Sequence, residues 1–131
     1  TIPAGRDAAL YAGLTATHGQ NTTLDEPVGG IPPLFGMAGL RWGRGRWHVD
    51  AYSRFAGRQD RLSSDDRDDP RIPENGTPGW VTLNLRASFA ISSRLTLQGA
   101  LENILDINYR EHGSGINGPG RNLIICLRAG A

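Results

Sequence analysis

The sequence predicts an all-β fold, an antiparallel up-and-down meander of about six strands. Three observations carry that expectation. Apolar and polar residues alternate with a period of two along most of the chain, and helical periodicity is hard to find. The connections between the alternating runs switch between very short and long. Finally, Gly 18 and Pro 8 of 131 residues exceed the roughly 12% of average chains, and they cluster between the runs as turn residues do.

The first run, "AALYAGLTATHG", alternates weakly, with Leu10, Ala12, Leu14 and Ala16 opposing Tyr11, Gly13, Thr15 and Thr17. In "PLFGMAGLRW", Leu34, Gly36, Ala38, Leu40 and Trp42 share one face. "RWHVDAYSRF" sets Trp47, Val49, Ala51 and Phe55 against His48, Asp50, Tyr52 and Arg54. "GRG", residues 43–45, joins these two as a tight hairpin turn. "GWVTLNLRASFAI" opposes Val81, Leu83, Leu85, Ala87, Phe89 and Ile91 to Thr82, Asn84, Arg86 and Ser88. "SSR", residues 92–94, then turns the chain into "RLTLQGALENIL", where Leu95, Leu97, Gly99 and Leu101 face away from Thr96, Gln98, Ala100 and Glu102. In the last run Leu123, Ile125, Leu127 and Ala129 oppose Asn122, Ile124, Cys126 and Arg128.

Three long connections, residues 19–32, 57–78 and 110–120, therefore fall at one rim of the sheet and the short turns at the other. Transmembrane barrels of the bacterial outer membrane have that asymmetry, with short periplasmic turns and long extracellular loops. Their strands need about 9 to 11 residues, a length these runs supply. Trp42 and Trp47 flank the short GRG turn, where an aromatic girdle meets the membrane interface. The polar faces carry Asp50, Arg54, Arg86, Gln98, Glu102 and Arg128, which suit a hydrated lumen. A small soluble antiparallel domain that binds carbohydrate or protein through its long loops alternates in the same way, and needs a second apolar layer to pack on.

Composition narrows the function classes. A formal net charge of +1 gives no electrostatic case for nucleic acid. All 14 basic residues are Arg. A single cysteine, Cys126, excludes an internal disulfide framework and argues against a cysteine-based zinc site. No run of 18 apolar residues predicts a transmembrane helix, which leaves membrane-crossing strands open. "TIPAGRDAAL" lacks the basic start and apolar core of a signal peptide.

One stretch, "LENILDINYREHGSGINGPGRN", joins an alternating half to a glycine-rich half. It resembles the near-terminal pattern of TonB-dependent outer-membrane receptors: Glu-Asn, an apolar pair, Asp, Tyr-Arg, a glycine-rich loop, Pro-Gly-Arg and a last strand. "DEPVGGIPPLFGMAGLRW" and "QDRLSSDDRDDPRIPENGTPGW" fit the same family in the same order, so the resemblance covers residues 8–131. It implies that residues 1–131 are the C-terminal segment of a roughly 22-stranded barrel, without its plug domain. The implied location is the outer membrane of a Gram-negative bacterium. The implied partners are outer-membrane lipid, the remainder of the receptor, a TonB-type energy-coupling protein and a small-molecule ligand such as a siderophore or other metal chelate. The family usually ends in an aromatic residue, whereas this chain ends "LRAGA".

The candidate site residues are loop organisers. Within the resemblance, Glu102, Asn103, Asp106, Tyr109, Arg110, Pro119, Gly120 and Arg121 are expected to shape the last loop together with Asn108 and Glu111. Arg121 is expected beside Glu102 or Asp106. In residues 58–71, Asp65, Asp66, Asp68 and Asp69 are weak calcium candidates beside Arg58, Arg61, Arg67 and Arg71, since closely spaced carboxylates suit that ion. The EF-hand spacing is missing, and a solvated loop of exchanging ion pairs is the simpler reading. His18, His48 and His112 are scattered. His112 and Ser114 lack an acid orienter, so no enzyme is expected and no cofactor is called for.

Overall fold

Alternation decides the architecture, because successive side chains of an extended chain point to opposite sides. The computed structural model describes residues 1–130, in which the alternating runs pair as one antiparallel sheet. Its strands are β1 (Ile2–Pro3), β2 (Ala8–Thr15), β5 (Phe35–Arg44), β6 (Trp47–Ala56), β7 (Trp80–Ala90), β8 (Leu95–Glu102) and β9 (Asn122–Ala129). A two-stranded ribbon, β3 (Gln20–Asn21) with β4 (Glu26–Pro27), and one short helix, α1 (Ser64–Asp68), lie in the long connections. The sheet order β1-β2-β5-β6-β7-β8-β9 follows the chain, so the large sheet is an up-and-down meander of seven strands. The seventh, β1, is a two-residue edge piece whose apolar pair is too short to alternate. Ala131, on which the terminal aromatic bears, lies outside the described residues.

Register keeps the two faces apart across the whole sheet. One row runs Ile2, Leu10, Leu40, Ala51, Leu85, Leu101 and Leu123, apolar on every strand. The adjacent row, on the opposite face, holds Arg41, Asp50 and Arg86 on the three central strands. Leu10, Leu40, Val81, Leu85, Leu97 and Ile125 all remain exposed on the apolar face. No second layer covers that face among the described residues, which is the requirement the soluble sandwich reading fails to meet. Trp42 and Trp47 stand on the same apolar face beside the short β5–β6 turn, and the Trp47 ring lies 4.6 Å from that of Phe89.

The buried apolar residues lie elsewhere. Tyr52, Leu62, Ile72 and Tyr109 are on the polar side of the sheet or in the long connections. Three connections, residues 16–34, 57–79 and 103–121, meet at one rim, as the alternation of loop lengths predicts. One boundary differs from expectation. Strand β8 stops at Glu102, so Asn103–Tyr109, expected as strand, belongs to the last loop. The reason is local: Asn103 and Asp106 adopt positive φ (48° and 55°), a conformation asparagine and aspartate tolerate and which breaks the pleat.

Candidate functional site

The polar face is built from charges that neutralise one another across strands. Arg86 on β7 donates to Glu102 on β8 at 3.0 Å, and its guanidinium lies 5.0 Å from the centre of the Tyr52 ring on β6. Arg41 on β5 pairs with Asp50 on β6 at 3.5 Å and lies over the Tyr11 ring at 4.3 Å. The Tyr11 hydroxyl donates to the other Asp50 oxygen at 2.7 Å. Arg54 repeats the arrangement, 3.0 Å from Glu111 and 5.6 Å from the Trp80 ring. Each of these arginines therefore has a carboxylate as counterion and an aromatic face for its planar cation.

The last loop, residues 103–121, lies over this face. Its base is organised by Asn103, whose side chain accepts from the Ile107 N–H and donates to the carbonyls of Ile107 and Pro119, at 2.9 to 3.0 Å. The Asn103 N–H donates in turn to Asn84 Oδ1 on β7. Asp106 Oδ1 accepts from the Arg121 N–H at 2.8 Å, and this carboxylate lies close against Gly120. The Arg121 guanidinium donates to the Ile104 carbonyl, so backbone, not a salt bridge to Glu102 or Asp106, receives its charge. Arg110 donates to Asn117 across the loop. Tyr109 stacks on Trp80 with ring centres 4.4 Å apart, and a Cβ at Gly118 would overlap its ring. Glu111 meets Arg54, and His112 Nδ1 lies 2.9 Å from Thr77 Oγ1. Between loop and strands is a cavity of about 550 Å³ lined by residues that include Tyr52, Arg54, Arg86, Glu102, Tyr109 and Glu111.

The family profile described as "TonB dependent receptor-like, beta-barrel" matches residues 6–104 of this chain, three quarters of its length. The chain belongs to the TonB-dependent receptor family. Among solved structures, the receptor segment is similar to the protein named "Copper transporter OprC", with a TM-score of 0.86 and 20% identity. The match covers 97% of this chain and 21% of that one, so the segment spans about a fifth of the transporter's length, and at that identity the likeness is one of fold. Comparison with curated proteins returns no match.

In this receptor segment the two earlier loops pack on each other. Helix α1 opens with a capping box: the Asp66 N–H donates to Ser63 Oγ, and the Ser63 N–H donates to Asp66 Oδ2. Asp66 also accepts from the Gly30 N–H of the preceding loop at 2.9 Å. Burial raises its carboxyl pKa, but the Gly30 and Ser63 hydrogen bonds outweigh that and leave it below the ordinary range. Glu26 accepts from both the Ser64 N–H and its hydroxyl. Arg71, by its guanidinium and its N–H, holds half-buried Asp69 at about 2. With Asp66 and Asp69 engaged in this way, the four calcium candidates do not converge. No group of three His, Cys, Asp or Glu side chains is placed to hold a metal among the described residues. His18 lies beside Arg61, His48 on β6 and His112 at Thr77.

Several organising residues escape a reading of the sequence. Gln59 bridges to Thr77 and donates to the Ile31 carbonyl, and Trp80 and Asn84 receive the last loop. These depend on contacts between distant positions. Ser63 carries a local signal, Ser-x-x-Asp ahead of a helical turn.

Proposed function

We propose that this segment is the C-terminal part of the barrel of a TonB-dependent uptake receptor in the outer membrane of a Gram-negative bacterium. In this reading it completes the barrel wall, presents its apolar face to lipid and its polar face to the lumen, and shapes a ligand vestibule with three outer loops. The observation that carries the reading is a continuous, uncovered apolar face in a chain of this family. Lipid is the solvent in which such a face needs no protein partner. The polar row Arg41, Asp50 and Arg86 supports a hydrated interior.

The cargo is a scarce ligand such as a siderophore or other metal chelate, and a TonB-type protein supplies energy through the remainder of the receptor. Glu102, Asn103, Asp106, Tyr109, Arg110, Pro119, Gly120 and Arg121 organise the last loop. The hydrogen bonds of Asn103 to Pro119 and of Arg121 to Asp106, the Arg110–Asn117 bond and the Tyr109–Trp80 stack support that role, while Glu102 meets Arg86 on β7.

The test expresses the complete receptor in iron-starved cells with and without the energy-coupling protein. Iron-55 is supplied as ferrichrome or as ferric citrate. The expected result is a heat-modifiable receptor in the outer-membrane fraction and uptake of at least one chelate that disappears without coupling. A receptor in the soluble fraction, or uptake indifferent to coupling, overturns the proposal.

A further inference from the structure

The cavity beneath the last loop has an electrostatic character that narrows its ligand. Two guanidiniums and two carboxylates line it, and they are already matched, Arg54 with Glu111 and Arg86 with Glu102, each at 3.0 Å. The four charges sum to zero. A polyanion entering here must pull an arginine from its carboxylate and then sit beside the released negative charge, a like-charge arrangement that costs affinity. What the cavity offers freely is of another kind. Tyr52 and Tyr109 are 7% and 8% exposed and both line it. The hydroxyl of neither makes a hydrogen bond among the described residues, and neither oxygen is fully buried. Two aromatic bodies with unengaged hydroxyls, beside fixed and mutually neutralised charges, suit a ligand rich in oxygen and without net charge.

We propose that this cavity, between the polar face of strands β6 to β8 and the last loop, is a recognition subsite for an uncharged, oxygen-rich ligand. The proposal rests on the uptake reading and deepens it by naming the charge class of the cargo. Two sources share that chemistry, an uncharged metal chelate and an uncharged oligosaccharide. For either, the tyrosine hydroxyls donate to or accept from ligand oxygens. Tyr109 is held for this by its stack on Trp80, and Tyr52 by the Arg86 guanidinium over its ring.

The test is calorimetric titration of the purified complete receptor in detergent with three probes: ferrichrome, maltotriose and ferric citrate. The expected result is binding of ferrichrome or maltotriose, which identifies the source, at least about tenfold tighter than ferric citrate. Tyr52→Phe and Tyr109→Phe keep both rings and should each weaken that binding about 3- to 10-fold, the size of one hydrogen bond. Replacing Glu102 and Glu111 together by Gln frees two positive charges and should tighten ferric citrate about tenfold or more. Heat modifiability of every variant checks that the barrel is intact. Tighter binding of ferric citrate by the unaltered receptor, binding of none of the probes, or full affinity in both Phe variants overturns the subsite. Binding in detergent needs no energy coupling. A receptor that takes up ferric citrate in a coupling-dependent way but fails these titrations therefore loses the subsite and keeps the transport reading.

Discussion

Asn103 concentrates more structural work than any other side chain of the last loop. It ends β8, takes a positive φ of 48°, and closes the loop base with three side-chain hydrogen bonds while 3% exposed. Asn103→Ala removes all three and puts alanine in a left-handed conformation, so loop stability in the complete receptor should fall by about 2 to 4 kcal/mol. Hydrogen exchange over residues 104–121 measures this. Asn103→Gly keeps the backbone geometry and should recover part of the loss. Unchanged exchange in Asn103→Ala would refute the role.

Asp66 makes a pH-dependent prediction at the same scale. Its folded pKa lies below the ordinary 3.8, because the hydrogen bonds from Gly30 and Ser63 favour the carboxylate. A depressed carboxyl stabilises the fold above its unfolded pKa, and that contribution is lost as pH falls through the folded value. Amide protection at Gly30 and Ser63 should thus hold from neutral pH to about 5 and fail progressively below about 4. In Asp66→Asn the pH dependence should disappear, and protection should be lower throughout.

At the scale of the element, alternation assigns each residue to a face, and the two faces should tolerate charge differently. Leu85 sits mid-strand in β7 within an apolar row, whereas Gln98 on β8 faces the polar side. Leu85→Arg should destabilise the barrel by about 2 to 4 kcal/mol, the cost of arginine at a bilayer midplane, and Gln98→Arg by well under about 1 kcal/mol. Urea-induced folding equilibria of the complete receptor in lipid vesicles measure both. Equal costs would mean that the faces are misassigned. The loops show how far alternation reaches as a guide. "LENILDINY" alternates except at Asn103 and Ile104, yet only Leu101 and Glu102 of it pair, because side-chain capping by Asn103 competes with the ladder.

For the whole molecule, the two outer edges of the sheet decide what the segment can do alone. Among the described residues the outer edge of β9 is unpaired, and β2 is covered by only two residues of β1. Open edges cannot face hydrocarbon, since every unpaired backbone group there is unsatisfied. Residues 1–131 expressed alone with an export signal should therefore yield no heat-modifiable, protease-resistant species in the outer membrane. Co-expression with the rest of the barrel should restore one. Insertion of the segment by itself would contradict the reading of an open sheet.

From the sequence alone came the strands, their faces, their meander order and the gathering of long loops at one rim. Each follows from a period of two and from connection length, which are local properties of a chain. The family, too, was legible, because its motifs are short runs in a set order. Tertiary structure decided where β8 ends, which carboxylate each polar-face arginine meets, and that the last loop folds over the polar face instead of standing away from it. Those outcomes depend on pairs such as Arg54 with Glu111 and Trp80 with Tyr109, 57 positions apart for the first. No periodicity encodes such pairs; they exist only once the sheet has brought the strands into register.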